Sequence, residues 1–489
     1  MFELKNTCES FIHGRDAGNA NRTLHENVYP GTNQTINHIA YASDDDIASA
    51  VASSQQAFQT WSSLPLNQRS AILLRAAAIL REKLQELATL EVWDTGKPLT
   101  EALCVDVHSA ADCLEYFAKI ALAFENNVMP DKNALIYTTR EPLGVCAGIG
   151  AWNYPLQIAC WKAAPALIMG NTMVYKPSEL TPMTVLALAE IFIQAGMPAG
   201  VFNVVLGDGA VAEKLLAQPG IGKVSFTGSV PTGKKILQQA ANTLLPVTLE
   251  LGGKSPLLIF DDADIEQAVI GSMLANFYTQ GEVCSNGTRV YVARHLHDAF
   301  LDKLIKRVKK LVIGDPFQLK TQVGALISRK HMQKVLDHIK IGKREGAELA
   351  LGGSVVQDKP LHLGNFLEPA IFTQCQDNMT LVQNEIFGPV MSILTFDDED
   401  EVIARANNTH FGLAAGVFTE NIKRAHRVVR QLQAGVCWIN NYNITPVSMP
   451  FGGNKHSGLG RENGMVALSH YSQLKSIYVE LNDIEHTYQ

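Results

Sequence analysis

The sequence has no apolar run long enough to cross a membrane, and residues Met1–Asn6 lack the basic and then apolar pattern of a signal peptide. Basic residues are also not in excess, because 41 lysines and arginines stand against 48 acidic residues, giving a net charge of −7. Binding to a phosphate backbone needs a basic surface. We therefore expect a cytoplasmic protein that binds neither nucleic acid nor a membrane.

Cysteine is sparse, and the eight cysteines include no Cys-x-x-Cys pair. A disulfide framework and a structural zinc site are therefore not expected, and most of the cysteines are predicted to be inert core residues. Cys284 differs from the others because it lies in Gln280–Asn286, a small and polar stretch that follows a predicted helix. Such a setting is typical of an accessible, nucleophilic thiol.

Strand and helix patterns alternate through most of the 489 residues, of which 46% are hydrophobic. Helical periodicity occurs at 45–61 and 68–91. Further on, helices are predicted at 161–169, 182–195, 209–217, 231–243, 264–280 and 297–312. Buried strands are predicted at 145–152, 172–175, 201–206, 223–226, 247–251, 289–293, 389–396, 412–418 and 436–440. This alternation predicts an α/β fold with two parallel-sheet units that meet near Gly252–Gly253. Two extended segments, 133–142 and 471–481, fall outside this scheme and are candidates for an intersubunit element.

Two segments at predicted strand ends suit a dinucleotide. In Phe226–Gly233 a strand gives way to a helix start, where backbone N–H groups can hold a pyrophosphate. The spacing is Gly-x-x-x-x-Gly rather than the usual fingerprint, so a plain strand–helix turn explains it equally well. Lys176 and Glu179 follow another strand and could bind ribose hydroxyls. Glu179 would repel a 2′-phosphate, which favours NAD over NADP, although an ordinary polar loop is the alternative.

Glu250 lies in an apolar strand directly before the glycine pair Gly252–Gly253. Burial there would raise its pKa, as a general base requires. Membership of a structural ion pair is the alternative interpretation.

These segments, together with Pro142–Val145, Trp152–Pro155, Glu385–Pro389 and Pro450–Gly453, resemble the aldehyde dehydrogenase superfamily. They stand in the family's order over nearly the whole chain. Ile149–Pro155, Glu385–Leu394 and Ser457–Gly464 are most similar to the betaine aldehyde dehydrogenases and the related trimethylaminobutyraldehyde enzymes.

The resemblance implies two Rossmann-like domains and a small β oligomerisation arm. The NAD-binding domain would comprise residues 1–122 and 143–252, the catalytic domain 253–445, and the arm 123–142 and 465–489. It also implies a homo-oligomer, either a dimer or a dimer of dimers, that is, a homotetramer.

The same resemblance implies a covalent mechanism. Cys284 attacks the aldehyde carbon, and the Asn153 amide and the Cys284 N–H hold the oxyanion. Loss of hydride to NAD leaves a thioester, which Glu250 hydrolyses by activating water. Lys162 and Glu462 match a charged relay near this base, although a buried salt bridge that fixes the C-terminal segment is an equal alternative.

By the same resemblance, Glu385 holds the nicotinamide ribose and Phe387 packs near the ring. The other NAD-binding positions that it implies are Trp152, Lys176, Glu179, Gly228 and Ser229.

The implied reaction is the oxidation of betaine aldehyde to glycine betaine, an osmoprotectant. A quaternary ammonium donates no hydrogen bonds, so an aromatic cage is expected to bind it. Tyr154 and Trp161 match cage positions, Tyr442 is a further candidate wall, and Phe451 stands where several betaine enzymes have Trp. The stretch Asn440–Val447 instead slightly favours a trimethylaminobutyraldehyde or other aminoaldehyde dehydrogenase.

Two alternative functions are less consistent with these residues. An acylating dehydrogenase is disfavoured by Glu250, and a non-catalytic, crystallin-like protein by the intact Cys284, Glu250 and Asn153. Some bacterial betaine enzymes also bind potassium through backbone carbonyls. The matching positions are Asn27, Asp94 and Leu180 for one ion, and Leu244, Lys455 and Gly458 for another.

Overall fold

The computed structural model describes residues 5–18 and 22–484, which form a mixed α/β fold around two large sheets. The helices are α1 (Asp44–Trp61), α2 (Leu66–Glu82), α3 (Leu84–Thr95), α4 (Leu99–Glu101), α5 (Val107–Ile120), α6 (Pro155–Ile168), α7 (Met183–Gln194), α8 (Gly209–Leu216), α9 (Val230–Ala241), α10 (Ile265–Phe277), α11 (His297–Val308), α12 (Arg329–Arg344), α13 (Thr380–Gln383), α14 (Glu399–Asn407), α15 (Ile422–Gln431) and α16 (Val466–His470).

The strands are β1 (Thr7–Cys8), β2 (Phe11–Ile12), β3 (Arg15–Asp16), β4 (Leu24–Tyr29), β5 (Gln34–Ala40), β6 (Val128–Pro130), β7 (Ala134–Pro142), β8 (Val145–Ile149), β9 (Thr172–Lys176), β10 (Phe202–Val204), β11 (Ile221–Thr227), β12 (Val247–Glu250), β13 (Pro256–Ile259), β14 (Arg289–Ala293), β15 (Glu348–Leu351), β16 (Ala370–Thr373), β17 (Val390–Phe396), β18 (Ala414–Phe418), β19 (Val436–Ile439), β20 (Gly458–Leu459) and β21 (Ser472–Glu480). Among the described residues, no helix combines the length and the apolar character that crossing a membrane requires. The cytoplasmic location stays a prediction.

The first sheet has the strand order β20-β12-β11-β8-β9-β10-β2-β3. Its five strands from β12 to β10 are parallel, and short antiparallel strands close both edges. From β8 the chain adds β9 and β10 on one side and β11 and β12 on the other. A sheet that reverses its direction of growth in this way leaves a crevice at the carboxyl ends of the strands, here between β8 and β11.

The second sheet has the order β15-β16-β17-β14-β13-β18-β19, with only the edge strand β15 antiparallel. The first sheet's β12 ends at Glu250 and the second sheet's β13 begins at Pro256. The chain therefore passes from the first sheet to the second in the segment that contains Gly252–Gly253. The roles of the two predicted domains stay predictions, and residues 446–464, which neither includes, contribute β20 to the first sheet.

The two extended segments predicted outside the main sheets pair with each other. Strand β21 runs antiparallel to β7 from Ser472 opposite Pro142 to Glu480 opposite Ala134, and β6 lies on the other side of β7. This three-stranded sheet is separate from both large sheets. The last residues of the predicted arm, 485–489, lie outside the described residues. A second small sheet, β1-β5-β4, was not predicted from the sequence.

Two helix boundaries differ from the predictions for local reasons. The predicted helix at 68–91 is two helices, because the backbone at Lys83 leaves helical geometry (φ −95°, ψ 18°) between α2 and α3. Helix α6 begins at Pro155, ahead of the predicted start at 161. Proline suits the first turn of a helix because its fixed φ matches the helix and its missing N–H would have no partner there. This early start places Trp161 and Lys162 on a fully buried helix.

Candidate active site

Two cavities meet at the junction of the two sheets. The catalytic cavity, of about 290 Å³, is lined by these predicted site residues: Asn153, Tyr154, Trp161, Glu250, Cys284, Glu385, Phe387 and Phe451. The dinucleotide groove, of about 1010 Å³, runs over the crevice of the first sheet and is lined by Lys176 and Glu179. Trp152, Gly228 and Ser229 line both cavities, so the structure joins them into one continuous site.

Cys284 lies at the inner end of this site, on the loop between α10 and β14. As a residue Cys284 is partly exposed, whereas five of the other cysteines are buried. Burial, followed by the nearby carboxylates of Glu250 and Glu385, raises the pKa of the Cys284 thiol to about 12. The resting site therefore holds a protonated thiol, and attack on a carbonyl requires a base to take the proton.

Asn153 follows β8 and lines the same cavity as Cys284. Its side chain is buried, and Nδ2 donates a hydrogen bond to the backbone carbonyl of Glu282 at 2.9 Å. An amide nitrogen carries two hydrogens. One of them fixes the orientation of Asn153 against the cysteine loop, which leaves the second for an oxygen of a bound molecule.

Glu250 ends β12 with its carboxylate buried in the cavity wall. Neither oxygen has a hydrogen-bond partner among the described residues. Burial is the largest cause that raises its pKa well above the usual value, and the charge of Glu462 adds to it. Gly452 lies so close that a β-carbon there would stand 2.6 Å from Glu250 Oε1. A buried carboxyl without a fixed partner can accept a proton, as a general base does.

Lys162 and Glu462 form a buried ion pair behind the cavity wall. Lys162 Nζ lies 2.8 Å from Glu462 Oε1, and the Ser225 hydroxyl donates to the same oxygen at 2.9 Å. The backbone of Glu462 also exchanges hydrogen bonds with that of Phe451. The contacts suit both roles foreseen for the pair, because Glu462 acts electrostatically on Glu250 and also fixes the C-terminal segment.

Glu385 reaches across from the second sheet to the glycine pair after β12. Its Oε1 accepts a hydrogen bond from the Gly253 N–H at 3.0 Å, and burial raises its pKa to about 7. A β-carbon at Gly252 would lie 2.1 Å from Glu385 Oε2, so only glycine allows this approach. Phe387 packs its ring 5.2 Å from the ring of Trp152.

Aromatic side chains form one end of the catalytic cavity. The rings of Trp161 and Phe451 meet edge-on with centroids 5.3 Å apart, and Tyr154 lines the same cavity. Tyr442, the fourth predicted wall, is not among the lining residues. It is fully buried, and its hydroxyl donates to the Ser285 carbonyl at 2.9 Å, so Tyr442 supports the residue after Cys284.

The residues predicted to bind the dinucleotide lie along the groove. Ser229 caps α9, because its hydroxyl accepts a hydrogen bond from the Thr232 N–H. This leaves the helix start with its free N–H groups in the groove. Lys176 Nζ donates to the carbonyls of Pro177 and Gly207 and lies 3.8 Å from Glu179 Oε2.

The six positions suggested for potassium form two sets, one for each ion. Asn27 donates a hydrogen bond to the Asp94 carboxylate, which also accepts from the Met183 N–H, three residues after Leu180. Leu244 and Gly458 lie at opposite ends of β12, because Leu244 precedes that strand and Gly458 pairs with its last residue. Lys455 donates its ammonium to the carbonyls of Asn407 and Thr409.

Both potassium sites stay predictions. Within residues 5–18 and 22–484, no group of three or more His, Cys, Asp or Glu side chains is placed to hold a metal ion.

Sequence reasoning missed several residues that line the cavity, among them Val105, Tyr278, Lys334 and His331. His331 Nε2 donates to the Phe387 carbonyl at 2.6 Å, and burial lowers the His331 pKa to about 4, so the ring is neutral. His331 lies in the first turn of α12, an amphipathic helix far from every motif. No local pattern distinguishes it from a surface histidine.

Comparison with known proteins identifies the family. The model of the aldehyde dehydrogenase family matches residues 17–477. This chain belongs to the aldehyde dehydrogenase family. Among curated members it is 55% identical to a protein named betaine aldehyde dehydrogenase from Vibrio vulnificus, over 97% of both chains. It is 54% identical to another of that name from Brucella anthropi, over 94% of this chain and 95% of the relative.

Solved structures of aldehyde dehydrogenases share the whole fold. One from Bacillus cereus, described as an NAD⁺ complex, superposes with a TM-score of 0.95 at 40% identity and covers 98% of both chains. A putative aldehyde dehydrogenase from Burkholderia cenocepacia gives 0.96 at 37% identity, over 98% of this chain and 99% of the other. The predicted α/β fold is therefore confirmed.

Proposed function

We propose that this aldehyde dehydrogenase oxidises betaine aldehyde to glycine betaine with NAD as the hydride acceptor. The observation that carries the proposal is the 55% identity, over 97% of both chains, to a protein named betaine aldehyde dehydrogenase. The placement of Cys284, Asn153 and Glu250 in one cavity supports it.

Each part of the groove suits a different part of a dinucleotide. Backbone N–H groups at the start of α9 suit a pyrophosphate, and Lys176 with Glu179 suits ribose hydroxyls at the end of β9. Glu385 and Phe387, where the groove opens into the catalytic cavity, would hold the nicotinamide riboside. When bound there, NAD supplies the acceptor for the hydride that leaves the aldehyde carbon.

The protein's own residues carry the remaining steps. The Cys284 thiol loses its proton to a base, and the sulfur attacks the aldehyde carbon to give a tetrahedral adduct. The oxyanion of that adduct accepts hydrogen bonds from Asn153 Nδ2 and the Cys284 N–H. After hydride loss a thioester remains on Cys284. Glu250 takes a proton from water, which attacks the thioester and releases the acid and the thiol.

The aromatic end of the cavity supports a cationic substrate. A quaternary ammonium is bound by the faces of aromatic rings, with stabilisation of up to about 2 kcal/mol when water is excluded. Tyr154, Trp161 and Phe451 provide three such rings beside Cys284. Tyr442, behind Ser285, would contribute through the loop and not through direct contact.

A trimethylaminobutyraldehyde or other aminoaldehyde is the second candidate substrate. Two residues of the stretch that favours it, Asn443 and Thr445, line the catalytic cavity. The Asn443 side chain is engaged with Ser285, Asn286 and Leu274. Thr445 offers a hydroxyl, which betaine aldehyde would not need and the amino group of an aminoaldehyde could use.

The substrate is tested by steady-state NADH formation with betaine aldehyde, trimethylaminobutyraldehyde, an aminoaldehyde and a neutral aldehyde of matched size. We expect the highest kcat/KM for betaine aldehyde. A higher value for trimethylaminobutyraldehyde would favour the second candidate, and a preference for the neutral aldehyde would contradict both. The same assay with NADP tests the expected preference for NAD.

The outer sheet supports a homo-oligomer. Strands β7 and β21 carry exposed apolar side chains at Leu135, Leu474, Tyr478 and Val479. An exposed apolar sheet is stabilised when a second copy covers it. Light scattering should give the mass of a dimer or tetramer for the unaltered chain and a smaller mass for Leu474→Asp. A monomeric parent would contradict the proposal.

A further inference from the structure

Glu101 is a buried carboxylate directly against the turn that leads to Cys284. It ends the short helix α4 and is 8% exposed. Its two oxygens accept hydrogen bonds from the Thr279 N–H at 3.1 and 3.2 Å, and Oε2 also accepts from the Thr279 hydroxyl at 2.8 Å. Glu101 is not among the residues that line the catalytic cavity.

The turn that Glu101 holds has a strained backbone. Thr279 (φ 47°, ψ 46°) and Gln280 (φ 42°, ψ 31°) both adopt left-handed geometry, and Gly281 follows at φ 79°. This geometry is unfavourable for residues with a β-carbon, by about 1–2 kcal/mol each, and it is an outlier for β-branched threonine. Such a conformation persists only where surrounding contacts fix it.

The same hydrogen-bond chain reaches the aromatic wall. The Tyr154 hydroxyl lies 2.7 Å from Thr279 Oγ1. Since the single hydroxyl hydrogen of Thr279 points to Glu101, Tyr154 is the donor in this contact. Lys97 also contacts the Tyr154 ring, because its ammonium lies 4.0 Å from the ring centroid. One carboxylate thus fixes both the turn and the position of Tyr154.

The turn is coupled to the groups that surround the reacting atom. The residue after Gly281 is Glu282, whose carbonyl accepts the hydrogen bond from Asn153 and whose carboxylate accepts from the Ile327 N–H. Cys284 follows two residues later. A displacement of about 1 Å at a catalytic group can slow a reaction by about a hundredfold.

We propose that Glu101 is a positioning residue for the oxidation, because it holds the Thr279–Gln280 turn and thereby sets the placement of Cys284, Asn153 and Tyr154. It touches neither the substrate nor the reacting atoms. The inference rests on the proposed role of Cys284 as the nucleophile.

The test compares Glu101→Gln with Glu91→Gln. Glu91 is a matched control because it is also a buried carboxylate beside Lys97, 3.8 Å from Nζ, yet it does not touch the turn. An amide at 101 loses an acceptor for the Thr279 N–H. We expect kcat to fall at least about tenfold in Glu101→Gln with KM for NAD within about twofold, and to stay within about twofold in Glu91→Gln. Equal losses in the two variants, or no loss in Glu101→Gln, would overturn the proposal.

A second variant separates positioning from folding. Thr279→Gly removes the strain at position 279 and the hydroxyl together, so the residue that Glu101 contacts no longer has to be held in an unfavourable conformation. In that background Glu101→Gln should lower kcat by less than about twofold further. The same tenfold loss in both backgrounds would contradict the inference.

The alkylation rate of Cys284 by iodoacetamide at fixed pH, measured in all these variants, reports on the turn without turnover. If the parent oxidises no aldehyde, the proposed function fails. A changed alkylation rate in Glu101→Gln but not in Glu91→Gln would still support the positioning role, and equal rates would overturn it.

Discussion

The dinucleotide groove and the catalytic cavity meet at Trp152 but are built in different ways. The groove is formed by strand ends of the first sheet and by the start of α9. Within it, the side chain of Glu179 is 42% exposed. The cavity brings together segments from both sheets, and the carboxylate of Glu250 in its wall is buried. The difference follows from their tasks. Backbone N–H groups and exposed polar groups suffice for binding, whereas proton transfer near neutral pH needs carboxylates whose pKa is shifted by burial.

Replacement of Glu250 by Gln should have the largest effect of the changes considered. This effect should be confined to the reaction in the catalytic cavity. Steady-state kcat should fall by about 10²- to 10⁴-fold because the thioester loses its general base. The first hydride transfer should be less affected, so rapid mixing should show a burst of NADH before the slow phase. KM for NAD should stay near that of the parent. Unaltered steady-state turnover would refute the role of Glu250.

Gly252→Ala tests the boundary between the two regions. The added β-carbon would lie 2.1 Å from Glu385 Oε2 and push that carboxylate away from the groove. Crowding of this kind is unfavourable by about 1–3 kcal/mol, so KM for NAD should rise about tenfold or more. In a Glu385→Ala background the same change should add little, because the clashing group is gone. An equal rise in that background would show that the glycine acts elsewhere.

The pH dependence of Cys284 alkylation tests the electrostatics of the cavity. Its thiol has a pKa raised to about 12, so the reactive thiolate is scarce at neutral pH and increases as pH rises. In the free enzyme, the rate of carboxamidomethylation at Cys284 should rise about tenfold per pH unit between about pH 7 and 10. Mass spectrometry of the peptide that contains Cys284 separates it from the other cysteines. A plateau below about pH 8 would mean that the site stabilises a thiolate.

Trp161→Leu tests how the aromatic end of the cavity binds the substrate, and it should have the smallest effect of these changes. Loss of one ring of the aromatic wall should raise KM for betaine aldehyde about fivefold to tenfold, as expected for about 1 kcal/mol of cation–π stabilisation. KM for a neutral aldehyde of the same size and KM for NAD should change less than twofold. Trp161→Phe, which keeps a ring, is the matched control. Equal changes for charged and neutral aldehydes would indicate packing alone.

The groove was more predictable than the cavity. Apolar runs predicted the strands β8, β9, β11 and β12 of the first sheet to within a few residues, because parallel strands that are buried on both faces are continuous apolar runs in the sequence. Functional groups at strand ends then fall along one edge. The segments 133–142 and 471–481, both predicted to be extended, are strands β7 and β21, but their pairing with each other was not predicted.

The cavity depends on contacts between segments far apart in sequence, which local patterns do not contain. Glu101 and Thr279 are an example, since nothing near either residue indicates that one holds the other. Tyr442 was predicted from its position to be a wall of the aromatic cage, but its hydroxyl donates a hydrogen bond to the Ser285 carbonyl. The helix predicted at 68–91 is divided at Lys83, where the backbone leaves helical geometry. The prediction missed this division because a backbone change at one residue does not alter the hydrophobic periodicity. His331 reaches the site only through the packing of α12.

The most direct test of covalent catalysis at Cys284 is to trap the acyl-enzyme. Glu250→Gln enzyme would be mixed with NAD and betaine aldehyde, quenched in acid, digested and analysed by mass spectrometry. We expect the mass of the betaine acyl group on the peptide that contains Cys284, at close to one per chain, and we expect no such adduct without NAD. An adduct on another residue, or NADH formation with no adduct on Cys284, would contradict it.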